Sequence, residues 1–313
     1  MYVYLVRRLI STLPVMVIVG MFVFSLLYLA PGDPAALVAG DLATAADIAK
    51  IRDKLGLNEP FLVRFVQWSW DLLHGDLGVS IFSNLPVARL IGQRVEPTLA
   101  LATTTMLFAV ILAVPMGILA AWKAGTWIDR LVMGLAVLGF SFPVFVSAYL
   151  LIYGFAIRLE WLPVEGYSPL RAGFWPFLAN LVLPSVALGS IYMALIARIT
   201  RTSVLEILSE DYIRTAHAKG LAASSVLVGH ALKNAGVPIV TVIGLGVGLL
   251  IGGVVITESV FGIPGIGRLT VDAILARDYP VIQGVILVFS GVYVLVNLLV
   301  DLSYPFIDPR IRY

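Results

Sequence analysis

The sequence predicts an all-α integral membrane protein with six transmembrane helices, both termini in the cytoplasm, and an external helical segment between the first two spans. Three observations carry that prediction. The first is composition: 60% of the residues are hydrophobic, only 13% are charged and the mean hydropathy is +0.98, whereas an ordinary globular domain is roughly 25% charged. The second is a set of six windows free of Asp, Glu, Lys and Arg, at 9–30, 99–122, 131–157, 174–197, 235–257 and 281–300. A helix needs about 20 residues to cross a hydrocarbon layer of about 30 Å. A central Arg costs about 2.5–3.5 kcal/mol against a return of about 0.3–0.6 for a Leu, so six clean windows are a strong signal. The third is sidedness. Arg7 and Arg8, Lys123 and Arg130, the polar run 198–233, and Arg310 and Arg312 all fall on one side, the cytoplasm by the positive-inside rule.

Composition also excludes. The absence of cysteine removes disulfides, thiolate metal ligands and a Cys nucleophile. A net charge of +2 with dispersed Lys and Arg gives no support to a nucleic-acid partner.

The first window follows two arginines, as a signal peptide would, but it is longer than an h-region of about 7–15 residues and no small-x-small cleavage site follows. It is read as a retained helix. The external segment, 31–98, carries more acids than bases. Within it Thr44 can cap a helix with Asp47 three residues on, and Ile48, Ile51 and Leu55 then share a face. After Pro60, Phe61, Phe65, Trp68 and Leu72 recur at helical spacing before Gly75 stops the run. Aromatics so placed suit the headgroup level; the segment is expected both to cover the span tops and to offer a docking surface.

Pro14, Pro115, Pro143 and Pro184 predict bends inside four spans. In the fifth span Gly244, Gly248 and Gly252 recur every four residues, a smooth face for helix packing within the chain, at a subunit interface or along a translocation path. Gly253 and Pro238 are further points of bending. Glu258, at the outer end of that span, is expected to cap or to snorkel.

The longest cytoplasmic connection, 198–233, holds Arg201, Arg214 and Lys219, and is expected to be gripped from the aqueous phase rather than to serve as a solvated connector. Helical runs broken at Gly220 and near 234–236 give it an internal order. A short helix ending at Gly220 would present a compact surface, with Ala216 small enough for close docking.

Catalytic motifs are missing. There is no phosphate loop, since FGIPGIG at 261–267 lacks the Lys and the strand context. There is no H-E-x-x-H element and no G-x-S-x-G elbow. His74 is external while His217 and His230 are cytoplasmic, too scattered for a metal site, and no cofactor is implied. An intramembrane enzyme or an ion-coupled carrier would place ionisable residues inside the spans, where this chain has none.

At Arg214, Thr215, Ala216 and Gly220 the chain resembles the cytoplasmic signature of ABC importer permease subunits, E-A-A-x-x-x-G, keeping the second Ala and the Gly. The form DYIRTAHAKGL followed by HALKNA resembles the dipeptide and oligopeptide branch, as do APGDPA at 30–35, GDLGVS at 75–80, PTL at 97–99, TESVFGIPGIG at 257–267 and DPRIRY at 308–313. Where broader permeases end the segment I-x-L-P, His230 and Lys233 replace the Ile and the Pro.

The resemblance covers the whole chain and implies a type I importer permease in the bacterial inner membrane, without ATPase activity of its own. It implies a second permease, one or two cytoplasmic ATPases and an external solute-binding protein as partners, with Arg214, Thr215, Ala216, His217 and Gly220 as coupling contacts. Substrates would be dipeptides or oligopeptides, the same family also carrying nickel complexes, glutathione, opines and sugars. The predicted organisation is 1–30 for the N-terminus and first span, 31–98 for the external segment, and 99–313 for a five-helix core that includes the coupling loop 198–233.

Overall fold

The structure, a computed structural model, describes residues 2–29, 34–39, 43–54 and 56–307. Most of APGDPA, Leu55, Arg310, Arg312 and DPRIRY therefore lie outside the described residues. The chain folds as two compact units, Met1–Val95 with Arg268–Val294, and Glu96–Gly267 with Leu295–Tyr313.

The first unit opens with α1 (Tyr2–Leu29), whose apolar stretch Ile10–Leu29 is long enough to span, followed by α2 (Pro34–Ala39), α3 (Ala45–Lys54), α4 (Phe61–Leu73) and α5 (Val87–Gly92). Helix α3 starts where the sequence places its cap: Thr44 Oγ1 donates to Asp47 Oδ2 at 2.6 Å and accepts from Asp47 N at 3.3 Å. The hydroxyl and backbone amide of Thr44 hold the Asp47 carboxyl below the usual carboxylate range. Gly75, just past α4, takes φ +81 and ends the helix as predicted. The aromatic side of α4 packs on α1: Phe24 meets Phe61, Phe65 and Trp68 at ring-centroid distances of 5.3, 5.6 and 5.2 Å. Buried Asp278 fastens the GDLGVS turn, accepting from Ser80 Oγ at 2.5 Å and Ile81 N at 3.2 Å.

The second unit begins at α6 (Val95–Trp122) and continues through α7 (Trp127–Ser141), α8 (Val144–Leu151) with a wider turn to Arg158, α9 (Phe174–Leu208), α10 (Asp211–Ala218), α11 (Ala223–Val226) and α12 (Gly236–Val260). α13 (Ile266–Ala276) and α14 (Tyr279–Ile307) complete the chain. Among the described residues five helices are long and apolar enough to cross a membrane, and the bent pair α7–α8, taken as one span, makes six.

The third window is thus not one straight helix. Its halves meet at 101°. Phe142 is extended, at φ −98 and ψ 134, because the ring of Pro143 disfavours a helical residue before it and Pro143 has no N–H to continue the ladder. Around α9 the helices approach closely over small residues. A Cβ on Gly117 would lie 2.6 Å from the Ala197 carbonyl oxygen, and one on Gly189 2.8 Å from the Phe108 ring.

Candidate functional site

The polar connection 198–233 divides differently from its reading as one loop. Its first part, 198–208, continues α9, so the fourth span projects out of the apolar layer as an unbroken helix of 35 residues. Polarity marks where a helix leaves a membrane, not where its backbone stops. A two-residue link then leads into α10, and Asp211 in its first turn suits the helix dipole.

α10 ends in a complete Schellman motif. Leu221 N donates to Ala216 O at 3.3 Å and Gly220 N to His217 O at 2.9 Å, with Gly220 at φ +81. Only a residue without Cβ takes that angle freely, which gives the signature Gly its local reason. One side of the helix is sealed: Ile213 and Ala216 pack with Val226 against Ile207 and Leu208. Tyr212 is tied to the HALKNA run, its hydroxyl accepting from Asn234 Nδ2 at 3.0 Å.

Of the predicted coupling residues, Arg214, Thr215, His217 and Gly220 share the exposed rim of this turn. Ala216 does not. It is 8% exposed and faces the chain's own core, so its smallness seats α10 on the end of α9. The Thr215 hydroxyl donates to Asp211 O at 3.0 Å, and Arg214 pairs with Asp211 at 3.3 Å on the open surface, a pair that adds little to stability.

Arg201 is held by this chain, not left for a partner in the aqueous phase. Its Nε and one terminal nitrogen donate to the two oxygens of Asp129 at 2.6 and 2.7 Å, and Gly125 N donates to the same carboxylate at 2.9 Å. Asp129 is 5% exposed. This bidentate clasp joins the short link after α6 to the projecting part of α9, which puts both on one side of the membrane, as the even span count requires. Sequence reasoning missed Asp129, although it is the only acid among the bases that flank that link.

At the other end of the unit Glu258 neither snorkels nor reaches water: it is fully buried. Thr98 Oγ1 donates to Glu258 Oε1 at 2.6 Å and accepts from Ile266 N at 2.8 Å, so the PTL and TESVFGIPGIG runs interlock through one hydroxyl. Gly265 lies so close to the Glu258 carboxylate that a Cβ would collide with it. Nearby, Tyr167 OH donates to Glu96 Oε1 at 3.1 Å, and burial together with that carboxylate pushes the phenol up to about 12.

The glycine face of α12 does not act as one surface within this chain. Gly244 is buried against Val300, where a Cβ would collide with the valine methyl, Gly248 is half-buried, and Gly252 is exposed with nothing within 4 Å of an added Cβ. The opposite side of α12 is packed closely as well, where a Cβ on Gly253 would meet Leu188 Cδ1 at 2.5 Å.

A multi-pass helical core with a short capped helix presented on one side defines a multi-pass membrane component. The comparisons give the family. The description "Binding-protein-dependent transport system inner membrane component" matches residues 113–313, and its N-terminal companion matches residues 1–102. The chain belongs to this family of inner membrane transport components.

Among its relatives, a probable peptide ABC transporter permease protein, y4tP, of Sinorhizobium fredii is 56% identical over 313 residues, all of both chains. The dipeptide transport system permease protein DppB of Alkalihalophilus pseudofirmus is 43% identical, again with full coverage of both. The glutathione transport system permease protein GsiC of Escherichia coli K12 is 45% identical over 310 residues, 99% of each. Among solved structures, an inward-facing MetNI methionine ABC transporter aligns with a TM-score of 0.58 at 19% identity, covering 71% of this chain and 97% of that one. That likeness concerns the fold.

Proposed function

We propose that the chain is half of the membrane channel of an ATP-driven importer of dipeptides or oligopeptides. It pairs with a second, homologous permease, is fed by an external solute-binding protein, and is driven by one or two cytoplasmic ATPases. The ATPases engage the exposed rim of α10 around Arg214, Thr215, His217 and Gly220. The observation that carries this reading is the construction of α10: a short helix closed by a Schellman turn at Gly220, sealed on one side through Ala216 and open on the other. Such an element takes a push as a rigid body. ATP-driven closure of the partners would move it, and with it the helices that form the path.

The peptide assignment rests on the names of the full-length relatives. Gly252, open in the single chain, is available to the second permease or to the path. The test is purification of the tagged chain from native membranes in mild detergent, with mass spectrometry of what accompanies it. Recovery of a second permease and ATPases supports the assembly. Recovery of the chain alone, where a reference transporter complex survives, refutes it. Competition for uptake among dipeptides, longer peptides and glutathione then decides the cargo.

A further inference from the structure

α4 exposes large apolar side chains that a helix in water would bury. Its polar residues Arg64, Gln67 and Asp71 line a cavity of about 740 Å³ in the first unit, shared with Phe24, Trp68 and Ser80. Its aromatic side is taken up by α1. The side left facing outward carries Leu62, Val66, Trp70 and Leu73, which stack at spacings of four, four and three residues into one apolar stripe. They are 68%, 65%, 63% and 81% exposed.

The depth of this stripe can be read from α1. Tyr28 packs on Phe61 at 5.1 Å and Phe24 on Phe61, Phe65 and Trp68. They stand one and five residues before Leu29, the end of the apolar window. At the α-helical rise this is about 1.5 and 7.5 Å inside the window's end. The window itself, 20 residues from Ile10 to Leu29, is about 30 Å long, which matches the hydrocarbon layer. α4 is therefore held beside the last turns of the span, at the depth of about 5–10 Å at which amphipathic helices seat their apolar face. At that level α1 itself turns Phe22 and Leu29 outward, so the span and the stripe both expose apolar side chains there.

We infer that Leu62, Val66, Trp70 and Leu73 contact phospholipid acyl chains and that α4 is an interfacial helix embedded in the outer leaflet. The external segment is then anchored in the membrane by its own side chains, independently of the transport reading above. Because the chain has no cysteine, single substitutions Leu62→Cys, Val66→Cys, Leu73→Cys and Asp71→Cys each give one nitroxide site in the full chain, reconstituted with its co-purifying subunits into phosphatidylcholine vesicles.

The ratio of oxygen to aqueous nickel-chelate collisions is expected above one at 62, 66 and 73 and below one at 71. Nickel access at all four positions, or immobile labels shielded from both reagents by a protein partner, overturns the inference. A second measurement leaves these positions untouched. Brominated acyl chains quench the tryptophan emission of the parent, and Trp70→Phe is expected to lose part of that quenching; equal quenching in both overturns it.

Discussion

Gly220 separates what the chain needs from what a partner needs. Its left-handed backbone would cost an L-residue roughly 1–2 kcal/mol, and Asn, which tolerates that region, less. An added Cβ meets nothing within 4 Å and the turn is exposed, so a larger side chain can extend into solvent and the backbone cost is the main one. Gly220→Ala and Gly220→Trp therefore lose the same roughly 1–2 kcal/mol of stability despite their difference in size, and Gly220→Asn loses less. Unfolding of the purified chain in mild detergent, followed by tryptophan emission, checks the first half. The second half uses the assembled importer in vesicles, with ATP hydrolysis and peptide uptake measured together. If the rim of α10 docks into an ATPase, Trp abolishes coupled uptake while Ala retains most of it. A stability loss that grows with side-chain size would show that Gly220 is packed within the chain. Uptake that falls equally for Ala and Trp, in step with stability, would refute docking at this turn.

Three other perturbations follow from the geometry. Asp129→Ala strands a guanidinium whose side chain is 27% exposed, so its cost lies between the roughly 0–1 kcal/mol of a surface pair and the roughly 3–5 of a buried one, at about 2 kcal/mol; the double variant with Arg201→Ala is expected to cost less than the sum, and additive unfolding energies would remove the clasp from the account. Thr98→Val deletes two short hydrogen bonds at one buried position, for about 1–3 kcal/mol, whereas Thr98→Ser keeps both; equal unfolding midpoints would contradict this. Gly244→Ala overpacks the contact with Val300 at about 1–3 kcal/mol, while Gly252→Ala leaves the isolated chain as stable or slightly more so, so that any loss of uptake by the latter reports a partner or the path.

What was legible in the sequence is what short-range chemistry decides. Uncharged windows give the spans because desolvating a charge outweighs several apolar residues. Thr44 and Asp47 gave the start of α3, and Gly75 and Gly220 the ends of α4 and α10, because a cap or a left-handed turn is settled within about five residues. Pro143 announced a disturbance, but a proline inside a span either kinks the helix or parts it, and only the surrounding packing decides on a bend of 101°.

The continuation of α9 through 198–208 was hidden because hydropathy reports solvent and not backbone. Arg201 and Asp129 are 72 residues apart, and Thr98 and Glu258 are 160 apart. Neither member of these pairs names the other. Glu258 was expected to cap or snorkel because an acid at the end of a span usually finds water; here a threonine hydroxyl stands in for it.

The position of the clasp bears on how a push at α10 would travel. α9 is about 52 Å long at the α-helical rise, well beyond a hydrocarbon layer of about 30 Å, so its cytoplasmic end is a projecting arm. α10 is packed on the tip of that arm through Ile207 and Leu208. Arg201 lies seven residues back, about 10 Å from the tip, where the Asp129 carboxylate grips it from α7. An arm that met the bundle only through apolar side chains could slide or rotate, since such contacts are non-directional. A bidentate pair fixes both distance and angle, so displacement of α10 would be shared between α9 and α7. Interruptions of the backbone hydrogen-bond ladder are placed farther in. Pro184 removes a backbone donor within α9, and the break at Phe142 and Pro143 lies beyond α7. The charged clasp thus lies toward the surface proposed for the ATPases and the proline interruptions lie within the apolar spans, an order that would let a cytoplasmic push be carried as a unit to α7 and α9 and be taken up at their prolines.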